Sequence, residues 1–565
     1  MKKRFIYYVT LFVTAFSCSD DFTQLPAVGA LSDQALQNEV GVDLLLTGAY
    51  STLDGIRNNQ NADEWTVTGD NWWLDVISDD AHKGSTDGDQ ANLFEIERFS
   101  WETANTYFFG KWVGLYAGVN RANAVIDLIS KITEGDFTAK EAEARFLKAH
   151  YNFELQKIYG APAFISVENY SNTEFNQPNP GPIWDEIEAD FQFAINNLPT
   201  TINASEPGRA NAWAAKAYLG KTHLYQGEWA QALTILKDVI DNGPYALHAN
   251  FVENFNESGE NGVESIFAIQ FAADGGLSFN GNRGATLNFP NGGPINSCCG
   301  FYQPTQDLVN AFQTDANGLP LLDTFNQTDF KNDYGVTSQE PFTPDTTTPV
   351  DPRLDFTVGR RGIDYNGWGE MIGKDWIRAD FADISGPYLS TKNFYQAGDD
   401  GNRGTGDWGQ QRAGINYNII RFADVLLMAA EAAVETGDLA LALEYVNRIR
   451  NRAKTMPKVQ AVNGPGDAAN YVIEPYASFA DQAFARKAVR FERRLELGME
   501  GHRLFDLRRW GVAEQVINTY IANEARTIPN ITAKFLQYQS RHDRIPIPLN
   551  AIDLSGGVLQ QNPGF

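Results

Sequence analysis

The stretch GRANAWAAKAYLGKTHLYQ, residues 208–226, is followed by Gly227 and then by the segment Glu228 to Asp241. Few folds admit it. Ala214, Ala217, Leu219, Gly220, Leu224, Tyr225, Ala232 and Leu233 alternate small and large side chains at helical spacing, and Gly227 offers a natural stop between two helices. The spacing predicts a helical hairpin. A second hairpin is expected from Asn416 to Thr436 and, past Gly437, from Asp438 to Arg452, with alanines at 429, 430, 432 and 433 allowing close approach. Ala144, Leu147, Tyr151, Leu155 and Ile158 mark one face of a further helix that stops at Gly160, ahead of Pro162. An amphipathic segment from Ile183 to Leu198 is closed by Pro199.

The two hairpins resemble tetratricopeptide repeats, helix pairs of about 34 residues. Between them, over residues 245–412, the texture changes to Gly, Asn, Pro and Asp, with long irregular stretches and one strand-like run, SIFAIQF, at 265–271. The expectation is a mainly α fold. Tetratricopeptide-like pairs over about 19–244 and 413–565 form a scaffold, and the loop-rich subregion at 245–412 carries a few short strands.

The N-terminus reads as an export leader. Lys2, Lys3 and Arg4 precede an apolar run from Phe5 to Phe16, far short of the roughly 20 residues a membrane span needs. Residues 1–17 are expected to be a lipoprotein signal peptide, with Cys18 lipidated and the body from 19 to 565 anchored to a membrane. The net charge of −26 excludes nucleic acid, whose phosphates need lysine and arginine, and disfavours a polyanionic ligand. A neutral ligand meets no such repulsion. Only Cys298 and Cys299 remain besides Cys18, so neither a disulfide scaffold nor a four-ligand zinc site is expected. There is no nucleophile elbow, phosphate loop or HExxH motif. Asp79-Asp80 beside His82 and Lys83 is the most tempting carboxylate pair, but nothing in the sequence selects it for acid–base work. No enzyme, cofactor or bound metal is expected.

At VRFERRLELGMEGHRLFDLRRWG, residues 489–511, the chain resembles the C-terminal signature of the SusD/RagB family of surface glycan-binding lipoproteins. The matching positions are Glu492, Arg493, Glu496, Leu497, Glu500, Gly501, Arg503, Asp506, Leu507, Trp510 and Gly511. SDDA at 78–81, NRANAVID at 120–127, IYGAPAF at 158–164, PTQDLVNAF at 304–312, DPRL at 351–354, RIPIPLNAI from 544 and the terminal QNPGF agree along the chain. The resemblance implies four tetratricopeptide-like pairs and an outer-membrane location on the extracellular face. It also implies a SusC-like TonB-dependent transporter as partner, capture of an oligo- or polysaccharide, and no catalysis. Its RagB branch implies peptide uptake as the alternative. Read from the residues alone, the signature is an amphipathic helix. Its Arg/Glu cluster is an ion-paired scaffold face in which Glu496, Glu500 and Asp506 meet arginines such as Arg493, Arg503 and Arg509.

Sugar rings pack their C–H faces on aromatic rings and hydrogen-bond through hydroxyls, so the expected site is a set of exposed loop aromatics flanked by polar groups. Trp72 and Trp73 with Asp80 and Lys83 are one group; as neighbours, they are not expected both to point inward. Trp101 and Tyr107 follow. Cys298, Cys299, Phe301 and Tyr302 precede PTQDLVNAF, and the adjacent cysteines are candidates for a vicinal disulfide serving as a small stacking platform. Trp368, between glycines, and Trp376 complete the set. Among neutral glycans a laminarin-like β-1,3-glucan is the first expectation.

Overall fold

The structure, a computed structural model, describes residues 33–55, 63–201, 203–274, 277–295, 297–392, 394–406 and 409–565; the leader and Cys18 lie outside them. Among the described residues of the first half, six helices have twelve residues or more: α1 (Glu39–Tyr50), α2 (Thr106–Ser130), α3 (Thr138–Tyr159), α4 (Trp184–Asn197), α5 (Ala212–Gln226) and α6 (Trp229–Asn242). Another group closes the chain: α7 (Phe422–Thr436), α8 (Leu439–Thr455), α9 (Gln482–Leu497), α10 (Arg503–Arg509), α11 (Ala513–Glu524) and α12 (Leu549–Leu554). The sequence writes many of their ends. Asn38, Asn105, Asn211 and Asp481 cap α1, α2, α5 and α9 by accepting a backbone N–H, each such cap being worth about 1 kcal/mol. Gly227 and Gly437 take φ of 75° and 88°, and their N–H groups close the last turns of α5 and α7. An L side chain would strain there.

Each helix packs on its neighbour in an unbroken array from α1 through α6. The array then continues from α6 directly onto α7, and α7 holds both α8 and α9. The two hairpins that stand far apart in sequence are thus adjacent, with the loop-rich residues thrown out between them. Ala429, Ala430, Ala432 and Ala433 are all fully buried, as their size predicts for the helix at the centre of that junction. One boundary differs from expectation. Tyr417–Arg421 is not helical; it is a strand, β4, antiparallel to β2 (Ser265–Ile269), and α7 begins only at Phe422. A second short pair joins β1 (Ala81–Gly84) to β3 (Phe301–Pro304). The main apolar core runs from Val42 to Leu559, and a smaller cluster around Phe289, Tyr365, Trp376, Phe394 and Tyr395 lies under the loop-rich region.

The helices α2 and α3 approach unusually closely. A Cβ built at Gly118 would lie 2.6 Å from the ring of buried Tyr151, whose hydroxyl donates to Ala49 O at 2.8 Å. Gly118→Ala is expected to cost about 1–3 kcal/mol, because the ring has no room to retreat. Denaturant unfolding of the two proteins measures it; equal midpoints would mean the helices slide apart freely.

Candidate functional site

Most of the aromatic residues expected to face solvent are interior. Trp72 and Trp73 occupy one short helical turn, Trp72–Asp75, and are 2% and 1% exposed. Successive helical positions are rotated by about 100°, and here both directions are covered. Trp72 meets Phe301 and Tyr302 edge-on at 6.2 and 6.0 Å, while Trp73 meets Tyr107 at 5.4 Å and donates from Nε1 to Thr66 O. The expectation that they could not both point inward is corrected by this packing between β3 and α2. Tyr107, also buried, donates to Gln90 Oε1 at 2.8 Å. Trp101 is buried against His542, ring centroids 4.6 Å apart. Phe301 and Tyr302 lie inside β3, and the Tyr302 hydroxyl donates to Asp75. Trp376 is buried edge-on to Tyr365 in the smaller cluster. As packed here, none of these rings offers a face to a surface ligand.

The polar candidates are equally engaged. Lys83 is fully buried, donating to the carbonyls of Gly84, Thr86 and Asp89 with its ammonium 4.8 Å from the Phe301 ring, and burial lowers its pKa to about 8. Asp80 accepts from Arg494 Nε at 2.7 Å, and Asp79 takes both fork donors of Arg503 at 2.8 Å. Burial works against the Asp79 charge, but Arg494 and Arg503 outweigh it and hold the carboxyl at about 2. A carboxylate pair spent on two arginines is scaffold, not acid–base machinery. The signature cluster is likewise buried. Asp506 pairs with Arg493 and Arg509 as expected, whereas Glu496 and Glu500 turn instead to Arg353, Arg421 and Arg452, which lie outside the signature.

What remains at the surface is in the loop-rich region. Trp368 stands half-exposed on a tight turn that Asp364 ties by accepting from Gly367 N and Gly369 N at 2.7 and 3.0 Å. The Arg403 guanidinium lies 4.5 Å from its ring, and its Nε1 reaches Tyr395 O. Cys298 and Cys299 are joined by a disulfide, with a cis peptide between them; Cys299 is buried and Cys298 half-exposed, with Arg378 Nη1 3.9 Å from its sulfur. Arg378 belongs to a segment that also forms a cleft the sequence reading passed over. Phe381, 38% exposed, meets Tyr334 edge-on at 5.7 Å, and the Tyr334 hydroxyl donates to Phe381 O at 2.9 Å. The Lys374 ammonium is 5.4 Å from the Phe381 ring, and Asp333, Asp380 and Ser385 complete the lining. Burial lifts the Asp333 carboxyl to about 6 despite Arg361. The available signal was an isolated phenylalanine in ADFADIS, with no apolar period to explain it.

Among the described residues, Glu188, His223 and Glu228 form a group with donor spacing suited to a cation. His223 Nδ1 already lies 2.6 Å from Glu228, and Gln226 donates to Glu188, so the group is hydrogen-bonded within itself at the end of α5.

Comparison with known proteins gives this geometry its context. Residues 263–565 match the family model described as "SusD family", and residues 30–224 match one described as "Starch-binding associating with outer membrane". SusD-like protein P25 of Formosa agariphila is 24% identical over 99% of this chain and 98% of its own. The fold is shared with a SusD-like carbohydrate binding protein of Bacteroides fragilis, at TM-score 0.69 and 24% identity, covering 93% of this chain and 99% of that one. It is shared too with surface glycan-binding protein A of Bacteroides thetaiotaomicron, solved with laminarihexaose, at TM-score 0.65 and 19% identity over 93% and 99% of the two chains. With one family model spanning more than half of its length, the chain belongs to the SusD family.

Proposed function

We propose that this protein captures a neutral oligo- or polysaccharide at its loop-rich face, a laminarin-like β-1,3-glucan first, and passes it to a SusC-like TonB-dependent transporter. The observation that carries the reading is the surface at Tyr334 and Phe381, two partly exposed rings set edge-on at 5.7 Å beside the Lys374 ammonium and the exposed Asp380; the hollow they flank, about 20 Å³, holds no more than a water, so a sugar would lie across the rings rather than inside it. Half-exposed Trp368 and the Cys298–Cys299 disulfide lie in the same subregion. Trp72, Trp73, Asp80, Lys83, Trp101, Tyr107, Phe301, Tyr302 and Trp376 are buried and are not counted among the sugar contacts. Capture needs no bond-breaking residue. A lipid on Cys18 would tether the body, residues 19–565, to the outer face of the outer membrane, and no helix among the described residues is long and apolar enough to span it.

Phe381→Ala and Trp368→Ala are each expected to weaken binding of laminarihexaose about tenfold, equivalent to about 1.4 kcal/mol of lost stacking. Calorimetric titration of the native chain and both variants checks this, with inulin, mannan and starch fragments as competitors. If both variants bind as the native protein does, the loop-rich face is not the capture surface.

A further inference from the structure

The charged face of α9 leaves a cation unspent. Lys487, Arg490 and Arg494 recur at i, i+3 and i+7, so they share one side of that helix. Arg494 is consumed by Asp79, Asp80 and Asp307, and Lys487 meets Asp323 in an exposed pair of little worth. Arg490 makes no hydrogen bond or ion pair among the described residues. The carboxylates that act on it from a distance are already taken. Glu431 accepts two donors of Arg509 and the indole N–H of Trp510, and Glu435 accepts two donors of Arg486. Burial, Arg509 and Arg486 together lower the Arg490 pKa, as expected for a cation short of negative charge.

The Arg490 guanidinium lies 4.8 Å from the Trp510 ring, at the side of an open cleft of about 170 Å³ between α9, the α10–α11 corner and residues 322–325. Phe325, Phe491, Trp510, Val512 and Val516 wall the cleft, each of them half-exposed, and no carboxylate among the described residues lines it. Of the three Arg490 nitrogens only Nε is enclosed, so the Nη pair stays open to solvent.

Those features select an occupant. A guanidinium with a free Nη pair is matched by a carboxylate, and the walls call for hydrocarbon beside it. A neutral sugar would leave the charge unanswered, and a bare inorganic anion would leave the rings wet. Size separates a free acid from a protein segment. The volume falls below the ~300–1,000 Å³ of small-ligand pockets, and half-exposed walls cannot enclose a free molecule. A protein segment brings its own cover, and arginine and tryptophan are the residues in which interface hot spots are enriched. The net charge of −26 opposes an acidic partner only at long range; beyond ~8 Å at physiological salt it is screened, and the local excess at Arg490 decides.

We infer that this cleft docks an acidic segment of a partner protein, with an aspartate or glutamate carboxylate on the Arg490 Nη pair and a neighbouring apolar side chain between Phe491, Trp510 and Val516. The site does not depend on the glycan reading and shares no residue with the surface at Tyr334 and Phe381.

Fluorescence anisotropy tests this on the full chain, with a short labelled peptide, capped at both ends, in which aspartates flank one phenylalanine. The native chain should bind it, and the same peptide with asparagine for aspartate should bind at least tenfold more weakly. Arg490→Gln should weaken the aspartate peptide at least tenfold. If Arg490→Gln disturbs α9, Val516→Asp on the half-exposed wall gives the same reading by repelling the peptide. Raising the salt from ~0.05 to ~0.5 M should weaken binding as well. The inference is overturned if the native chain does not bind the aspartate peptide, if the asparagine peptide binds equally, or if Arg490→Gln and Val516→Asp both bind as the native chain does. Phenylacetate that displaces the peptide at equal concentration would mark a site for a free acid and overturn the partner segment. A peptide with free ends that binds tenfold more tightly than the capped one would mark a cargo peptide and overturn it too. Laminarihexaose binding, measured alongside, bears on the glycan reading alone.

Discussion

Glu496→Ala is expected to destabilise the fold by about 3–5 kcal/mol or more, the largest effect of any single substitution considered for this chain. Glu496 is fully buried and meets three guanidinium groups: Arg353 at 2.8 Å, Arg421 at 2.6 Å and Arg452 at 2.5 Å. Burial alone would push its carboxyl towards neutrality, but Arg452, Arg421 and Arg353 hold it well below the usual carboxylate range. The neighbours Glu492, Glu500, Asp351 and Glu264 share the same arginines, so the charges form one connected set. Such a set is not itself a large source of stability, since desolvation consumes most of the Coulombic gain. Its vulnerability lies in the asymmetry. Removing one carboxylate leaves the arginines buried and under-compensated, and they have nowhere to go: Arg353 and Arg421 are at most 1% exposed. The set also spans α9, α8, β4 and the Pro352–Phe356 turn, so it pins the loop-rich subregion onto the helical array. Glu496→Gln keeps the shape and part of the hydrogen bonding and should cost less than the alanine. Denaturant unfolding followed by circular dichroism separates the two. A loss below 1 kcal/mol for Glu496→Ala would mean that the remaining carboxylates re-pair with all three arginines.

The same cluster shows what sequence can and cannot deliver. Periodicity predicted α3, α4, α5 and α6 to within a few residues, because a helix that buries one face must repeat its apolar positions and because caps such as Asn211 and stops such as Gly227 are local signals. It recognised the Arg/Glu signature as ion-paired, yet assigned partners within the signature. Arg353 and Arg421 lie 143 and 75 positions from Glu496, and no spacing rule reaches that far. The adjacency of α6 and α7 was hidden for the same reason. At Tyr417–Arg421 the apolar run is equally consistent with helix or strand, and pairing with β2 decided it. The candidate surface was the least legible part. Trp72 and Trp73 read as exposed only if one assumes a single covering face, whereas β3 and α2 cover both. Phe381 is the converse case, an exposed ring in a loop with no repeating pattern to mark it.

Between pH 6.5 and about 9 the contribution of one side chain, His82, to the stability of the fold is expected to fall by about 3 kcal/mol. It is fully buried, with Nδ1 3.1 Å from Glu97 Oε1 and Nε2 2.9 Å from Glu524 Oε1. Burial opposes a charge there, but the hydrogen bonds to Glu524 and Glu97 prevail and lift the imidazole from 6.5 to about 9. A raised pKa in the folded state means that the folded form holds the proton more tightly. The stabilisation is complete below about 6.5 and is lost as the pH climbs through 9. Other buried groups act below this window or against His82 within it. His150 and His502 are lowered to about 4, mainly by burial, so their contribution is lost on the acid side, below 6.5. Asp75 and Asp307, raised to about 7 by burial, are costly once ionised, and most of that cost is reached by pH 7. Lys83, Lys111 and Lys392, each lowered to about 8 by burial, work in the opposite direction above pH 8 and would mask the His82 slope there. The comparison with His82→Asn removes that ambiguity. The variant should be less stable at pH 6, where Glu97 and Glu524 lose their buried cation, and the gap should narrow steadily towards pH 9. Stability curves that stay parallel across this range would show that His82 is neutral in the fold and that the two carboxylates are held by something other than its charge.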